Sequence, residues 1–135
     1  MILRKFAVFS QTDVAANNLA MLLVNHRSDS ASLDRAKALT SRFAQSSNLS
    51  LLDTYGWVLY KHGEATASVP VLEQVVAKAP NAPEARYHLG MALAKSGNEV
   101  EARDNLSRAV DSGAKFAGVE EAKATLDRLG RAPKS

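Results

Sequence analysis

At 135 residues the chain is sized for one domain, and 46% apolar with 23% charged residues is the balance of an ordinary folded globule. A net charge of +3 is too small and too scattered to argue for a nucleic-acid partner, and the lack of cysteine excludes disulfides and thiolate metal sites. No apolar run approaches the roughly 20 residues that cross a bilayer, and the patch after Lys5 is too short for a signal-peptide core.

Alanine and leucine dominate the apolar residues, which favours helices packed closely over small side chains. In residues 1–11, Ile2, Leu3, Phe6 and Phe9 recur at helical spacing ahead of a turn expected at 11–13. That pattern suits the second helix of an upstream unit, so the chain is expected to be the C-terminal piece of a longer array; an N-terminal strand or arm is the alternative. Residues 13–47 read as a first helix pair, with Asn17, Asn18, Leu19 and Ala20 in its first helix.

Residues 49–80 form the second unit. Its first helix is predicted over 49–62 and closed by Gly63, which can take the left-handed conformation of a helix C-terminus. Its second helix runs to Lys78 and ends at Ala79 and Pro80. Because Pro70 falls inside that helix, a late start with Ser68 as N-cap is expected, the alternative being a kink at Pro70. Residues 83–114 repeat the plan. Asn81 is an N-cap candidate, Pro83 stands in the first turn, and Glu84 occupies the capping-box position. Helices over 83–96 and 100–111 flank Gly97. In residues 116–130, Val119, Ala122, Leu126 and Leu129 share one face, as a capping helix requires.

The second and third units are copies of each other. Gly56 and Gly90, Leu59 and Leu93, Lys61 and Lys95, and Gly63 and Gly97 are all thirty-four residues apart. So are Ser68 and Ala102, Leu72 and Leu106, and Val75 and Ala109. The first unit joins the register if Ala20 stands where Gly56 does, which puts Ser32, Ala36 and Leu39 at the places of Ser68, Leu72 and Val75. That alignment needs two extra residues, expected within 45–50. A small residue in the first helix is where the second helix crosses; a larger one there costs about 1–3 kcal/mol of overpacking. One such pair cannot bury its own apolar face, so pairs stack.

These residues resemble the tetratricopeptide repeat (TPR) family, whose unit has a small eighth residue, an alanine at the twentieth and a proline at the thirty-second. Ala20, Gly56 and Gly90 fit the eighth position, Ala102 the twentieth and Pro80 the thirty-second; Ser32, Ser68 and Ala114 depart from the pattern. Asn17 to Ala20, followed by Asp53, Thr54, Tyr55, Gly56 and Trp57, is similar more narrowly to C-terminal repeats of large bacterial TPR proteins. Lipoproteins linked to exopolysaccharide and exosortase systems are among these. The resemblance implies an all-α fold over residues 1–135: a right-handed superhelix of about three helix-turn-helix repeats, with a C-terminal capping helix.

No active site is legible. His26, His62 and His88 are expected to be exposed or capping residues, since no pair has the spacing of a helical metal site. No catalytic residue, cofactor or metal is predicted, and Gly56, Gly63, Gly90 and Gly97 are accounted for by packing and capping. The resemblance implies instead a scaffold that binds another protein or peptide in a concave groove. Its groove positions carry over to Asn17 and Met21 in the first unit. In the second they fall on Asp53, Trp57, Tyr60 and Lys61, and in the third on Tyr87, Met91 and Lys95. The lysine and asparagine pattern that grips acidic chaperone tails is absent, because Asp53 and Trp57 stand in its place. Two alternatives are weighed. Trp57 and Tyr87 could pack against neighbouring helices or a returning terminus, with Phe6 and Phe9 as cover. The chain could also be an assembly module that forms homo-oligomers through truncated repeat ends. Compartment stays open between cytoplasm and, for a fragment of an exported protein, periplasm.

Overall fold

The computed structural model describes residues 11–130, and every regular element among them is helical. In chain order these are α1 (Gln11–His26), α2 (Ser30–Thr40), α3 (Leu49–Lys61), α4 (Ala65–Lys78), α5 (Pro83–Lys95), α6 (Glu99–Asp111) and α7 (Val119–Leu129). A single 3-10 turn, Ser41–Phe43, follows α2. Helices α1 and α2, α3 and α4, and α5 and α6 pack as successive antiparallel-connected pairs, and α7 packs on α6 and α5. The first helices also touch along the array, α1 on α3, α3 on α5 and α5 on α7, whereas α2, α4 and α6 do not touch one another. The first-helix layer is therefore the more closely spaced one.

The crossing that the sequence demanded is present twice with the same geometry. A Cβ on Gly56 would sit 2.6 Å from Leu72 Cδ2 and 2.7 Å from Cγ; on Gly90 it would sit 2.6 Å from Leu106 Cγ and 2.7 Å from Cδ2. Both leucines are fully buried. In the first pair the partner at the Leu72 position is Ala36, and Ala20 and Ala36 are likewise fully buried in one cluster. A methyl group on the first helix is thus matched by a shorter side chain on the second.

The tight turns follow from backbone hydrogen bonding. At the end of α3, Gly63 N–H donates to the Tyr60 carbonyl (3.0 Å) and Glu64 N–H to that of Leu59 (2.8 Å), with Gly63 at φ +95°. Gly97 repeats this with Ala94 and Leu93. This left-handed closure satisfies the last carbonyls of one helix and aims the chain straight into the next.

That geometry corrects three expectations. Helix α4 starts at Ala65, not at Ser68, because the turn at Gly63 leaves no room for a longer lead-in. Ser68 is no cap: its buried hydroxyl donates to the Gly56 carbonyl across the helix pair at 2.7 Å, and Pro70 lies within the helix. The N-cap of α5 is Ala82 rather than Asn81, with Pro83 in the first turn, where its missing N–H has no helical partner to lose. Finally, 11–13 are already helical, so no turn stands there. The extra residues of the first unit lie in the 3-10 turn and loop of 41–48, which Phe43 pins into the core and Asn48 ends by capping α3. The apolar residues Ile2, Leu3, Phe6 and Phe9 fall outside the described residues.

Replacing Gly56 by alanine sets a gain in helix propensity of about 1 kcal/mol against overpacking of about 1–3 kcal/mol. The near contact involves the branching carbon of the fully buried Leu72, which rotation about χ2 does not move, so net destabilisation is expected in urea melts. Leu72→Ala alone costs about 2–5 kcal/mol. The double variant, which copies the Ala20 and Ala36 pairing, should lose clearly less than the sum of the two. Strict additivity would show that the two residues do not share a crossing.

Candidate functional site

The residues selected for a groove lie on α1, α3 and α5, and the structure separates them by burial. On α3, Asp53, Trp57, Tyr60 and Lys61 follow one another at helical spacing, so they share a face toward α1 and α5. On α5, Glu84, Tyr87, His88 and Met91 meet them. Trp57, Tyr87 and Met91 are only 2%, 3% and 7% exposed. Asn17, Met21, Asp53, Tyr60 and Lys61 are half-buried, and Lys95 is exposed.

Trp57 is the hub of this face. Its ring stacks on Tyr60 at 4.8 Å and on His88 at 4.2 Å, and meets Tyr87 at 5.2 Å with a tilt of 48°. Lys61 Nζ lies 5.1 Å from its ring centroid, and its indole N–H donates to Asn25 Oδ1 on α1 at 3.0 Å. One side chain therefore ties together three first helices. Tyr87 is covered from the other side: Phe116 packs on its ring at 5.5 Å and its hydroxyl donates to Glu121 on α7. Gly118 presses on the same ring so closely that a Cβ there would overlap Tyr87 Cζ, and its φ of +99° also suits glycine. Trp57 and Tyr87 thus pack against neighbouring helices and the C-terminal segment. Cover by Phe6 and Phe9 lies outside the described residues.

His88 overturns the expectation of an exposed or capping histidine. It is 1% exposed, stacked on Trp57, with Nδ1 2.9 Å from both carboxylate oxygens of Asp53 on α3. The buried imidazole is satisfied by that hydrogen-bonding contact. His62, in contrast, is the C-cap of α3, with ring nitrogens 2.7 Å from Asp34 and 2.9 Å from Glu64. Among the described residues no group of three or more His, Asp or Glu side chains is arranged to hold a metal ion.

Above the aromatic block a cleft of about 300 Å³ stays open. Asn25 and His26 wall it on α1, Trp57 and Lys61 on α3, Glu84, Tyr87 and His88 on α5, and Gly118 and Glu121 at the start of α7. The cleft has an aromatic floor and a charged rim. Sequence reasoning did not bring Glu121 and Gly118 to it, since neither lies in a first helix of the repeats. The one available signal was a glycine directly ahead of the capping helix.

Residues 56–115 match the family model described as tetratricopeptide repeat. Residues 56–115 thus carry tetratricopeptide repeats. No curated protein and no solved structure matches the chain. The match concerns the TPR family as a whole and does not extend to the exosortase-associated lipoproteins. TPR repeats generally mediate protein–protein interaction, and the family is typically a non-enzymatic scaffold. No helix among the described residues is long and apolar enough to cross a membrane.

The TPR aromatic block has an alkaline signature. Burial, and then the hydrogen bond to the Glu121 carboxylate, hold Tyr87 far above the ordinary phenol value of 10.0; burial also raises Tyr60. The folded chain therefore keeps protons that the unfolded chain releases above about pH 10, and stability falls as pH rises through that range. Absorbance titration near the phenolate band should show Tyr87 ionising only together with loss of helical circular dichroism.

Proposed function

We propose that this TPR scaffold binds a polypeptide segment along the layer of first helices, anchored in the cleft between α1, α3, α5 and the start of α7. The observation that carries this reading is the cleft itself: open, about 300 Å³, and lined by Trp57 and Tyr87 beneath Lys61, Glu84 and Glu121. Aromatic faces with carboxylates at their edge suit an incoming basic side chain, which gains both ion pairing and cation–π attraction. The contact of α1, α3 and α5 within one layer lets successive residues of an extended ligand reach them together.

Residues for recognition on this reading are Lys61, Glu84, Glu121, Asn25 and His26 at the rim, with Met21 and Lys95 further along. Trp57, Tyr87 and Met91 act from below as a rigid platform. Alanine at Trp57 or Tyr87 is consequently a test of the fold more than of binding.

Trp57 is the only tryptophan in the chain and lines the cleft, so its emission reports occupancy directly. Titration with short peptide pools should shift that emission for lysine- and arginine-containing apolar peptides and leave it unchanged for acidic ones. Glu84→Lys should weaken the response at least several-fold while circular dichroism stays intact. Equal responses to acidic and basic pools, or indifference to Glu84→Lys, would overturn the cleft as the anchor.

A further inference from the structure

Trp57 lines the cleft and is nevertheless only 2% exposed, so a side chain seated on it has to move before a ligand can touch the indole. Among the described residues, the side chains in ring contact with it are Tyr60, Tyr87, His88 and Lys61. The first three are rings held in place by packing: Tyr87 and His88 are buried, and Tyr60 packs against the core. Lys61 is different. It is half-buried in the last turn of α3, and its long aliphatic stem can swing where the rings cannot.

The Lys61 ammonium is held by the ring and by nothing else among the described residues. Nζ lies 5.1 Å from the Trp57 centroid, within cation–π reach. Glu84 and Glu121 line the same cleft, yet Lys61 forms no ion pair with either of them. Its counterpart in the next repeat is Lys95, where Met91 takes the place of Trp57 and offers no aromatic face. Lys95 is exposed. The repeat thus sets a lysine at this position twice, and the half-buried one is the one with an indole in reach.

We propose that Lys61 is the resident cation of the cleft, seated where a basic ligand side chain binds, and that binding exchanges one cation for the other. This rests on the reading of the cleft as the anchor for a basic side chain. Two like charges repel at the separation a single ring face allows, so the Lys61 ammonium and the incoming group are alternatives. The exchange sets a threshold. The indole is given up only to a cation that Glu84 and Glu121 hold as well, and a neutral apolar side chain has no means of displacing the lysine. A guanidinium meets the demand best, because it stacks flat on an aromatic ring and pairs with a carboxylate through two parallel hydrogen bonds.

NMR of the Lys61 side chain tests the exchange directly. In the free chain its ε-methylene protons should lie upfield of those of an exposed lysine, shifted by the Trp57 ring current. On titration with a capped pentapeptide carrying one arginine among alanines and leucines, they should return to the exposed position as the Trp57 emission changes. Lys61→Met keeps the length of the side chain and removes the cation. It should bind the same peptide roughly two- to five-fold more tightly, the worth of an exposed cation–π contact, with circular dichroism intact. Lys61→Arg, which puts a cation back on the ring, should show no such gain. Lys61 protons that start at the exposed position, or that stay upfield at saturating peptide, overturn the inference. An affinity that Lys61→Met leaves unchanged or lowers does the same. So does a gain in Lys61→Met when the wild-type Lys61 protons never move, since relief of long-range repulsion then accounts for it. Binding that Glu84→Lys weakens but Lys61→Met does not improve removes the exchange and keeps the anchor; silence of both wild type and Lys61→Met removes both.

Discussion

A pair of helices can close to backbone distance only where one of them offers no side chain at the crossing, and here that place is Gly56 against Leu72 and Gly90 against Leu106. The leucine fills the gap that the glycine leaves, so neither residue makes sense alone. This fixes the separation and tilt of each pair. It thereby sets how far apart successive first helices lie and what can fit between them. The left-handed turns at Gly63 and Gly97 complete the unit by returning the chain at once into the second helix.

Between the pairs the spacer is aromatic. Trp57 is stacked on Tyr60 and His88, tilted against Tyr87 and hydrogen-bonded to Asn25, so α1, α3 and α5 are held by one indole. Tyr87 extends the block to α7 through Glu121 and Phe116. Side chains that might have formed an open recognition surface are instead the mortar between units. Above them Lys61, Glu84 and Glu121 line the cleft.

The two ends of the array are finished differently. At the C-terminal end, α7 buries Ala122, Thr125 and Leu126 against the last pair and turns a charged face outward. Along α1 the pattern is that of an internal helix, with Ala15, Asn18 and Leu22 at positions that α3 and α5 bury.

Much of the architecture was legible in the sequence, because helix crossings and helix ends impose chemistry that repeats: glycine where backbones meet, glycine after the last turn, proline between units. The register of thirty-four residues therefore marked α3, α5 and α6 to within a residue, and the end but not the start of α4. It also pointed to the aromatic residues of the first helices, though not to their fate. Which of them stay open depends on side chains far away in sequence, such as Asn25, Phe116, Gly118 and Glu121, and on how closely the pairs nest. His88 shows the same limit: periodicity gave it a place on α5, but only the approach of Trp57 and Asp53 made it a core residue. Local spacing is a property of the chain, whereas burial belongs to the sum of contacts from every direction, and that sum exists only in the assembled fold.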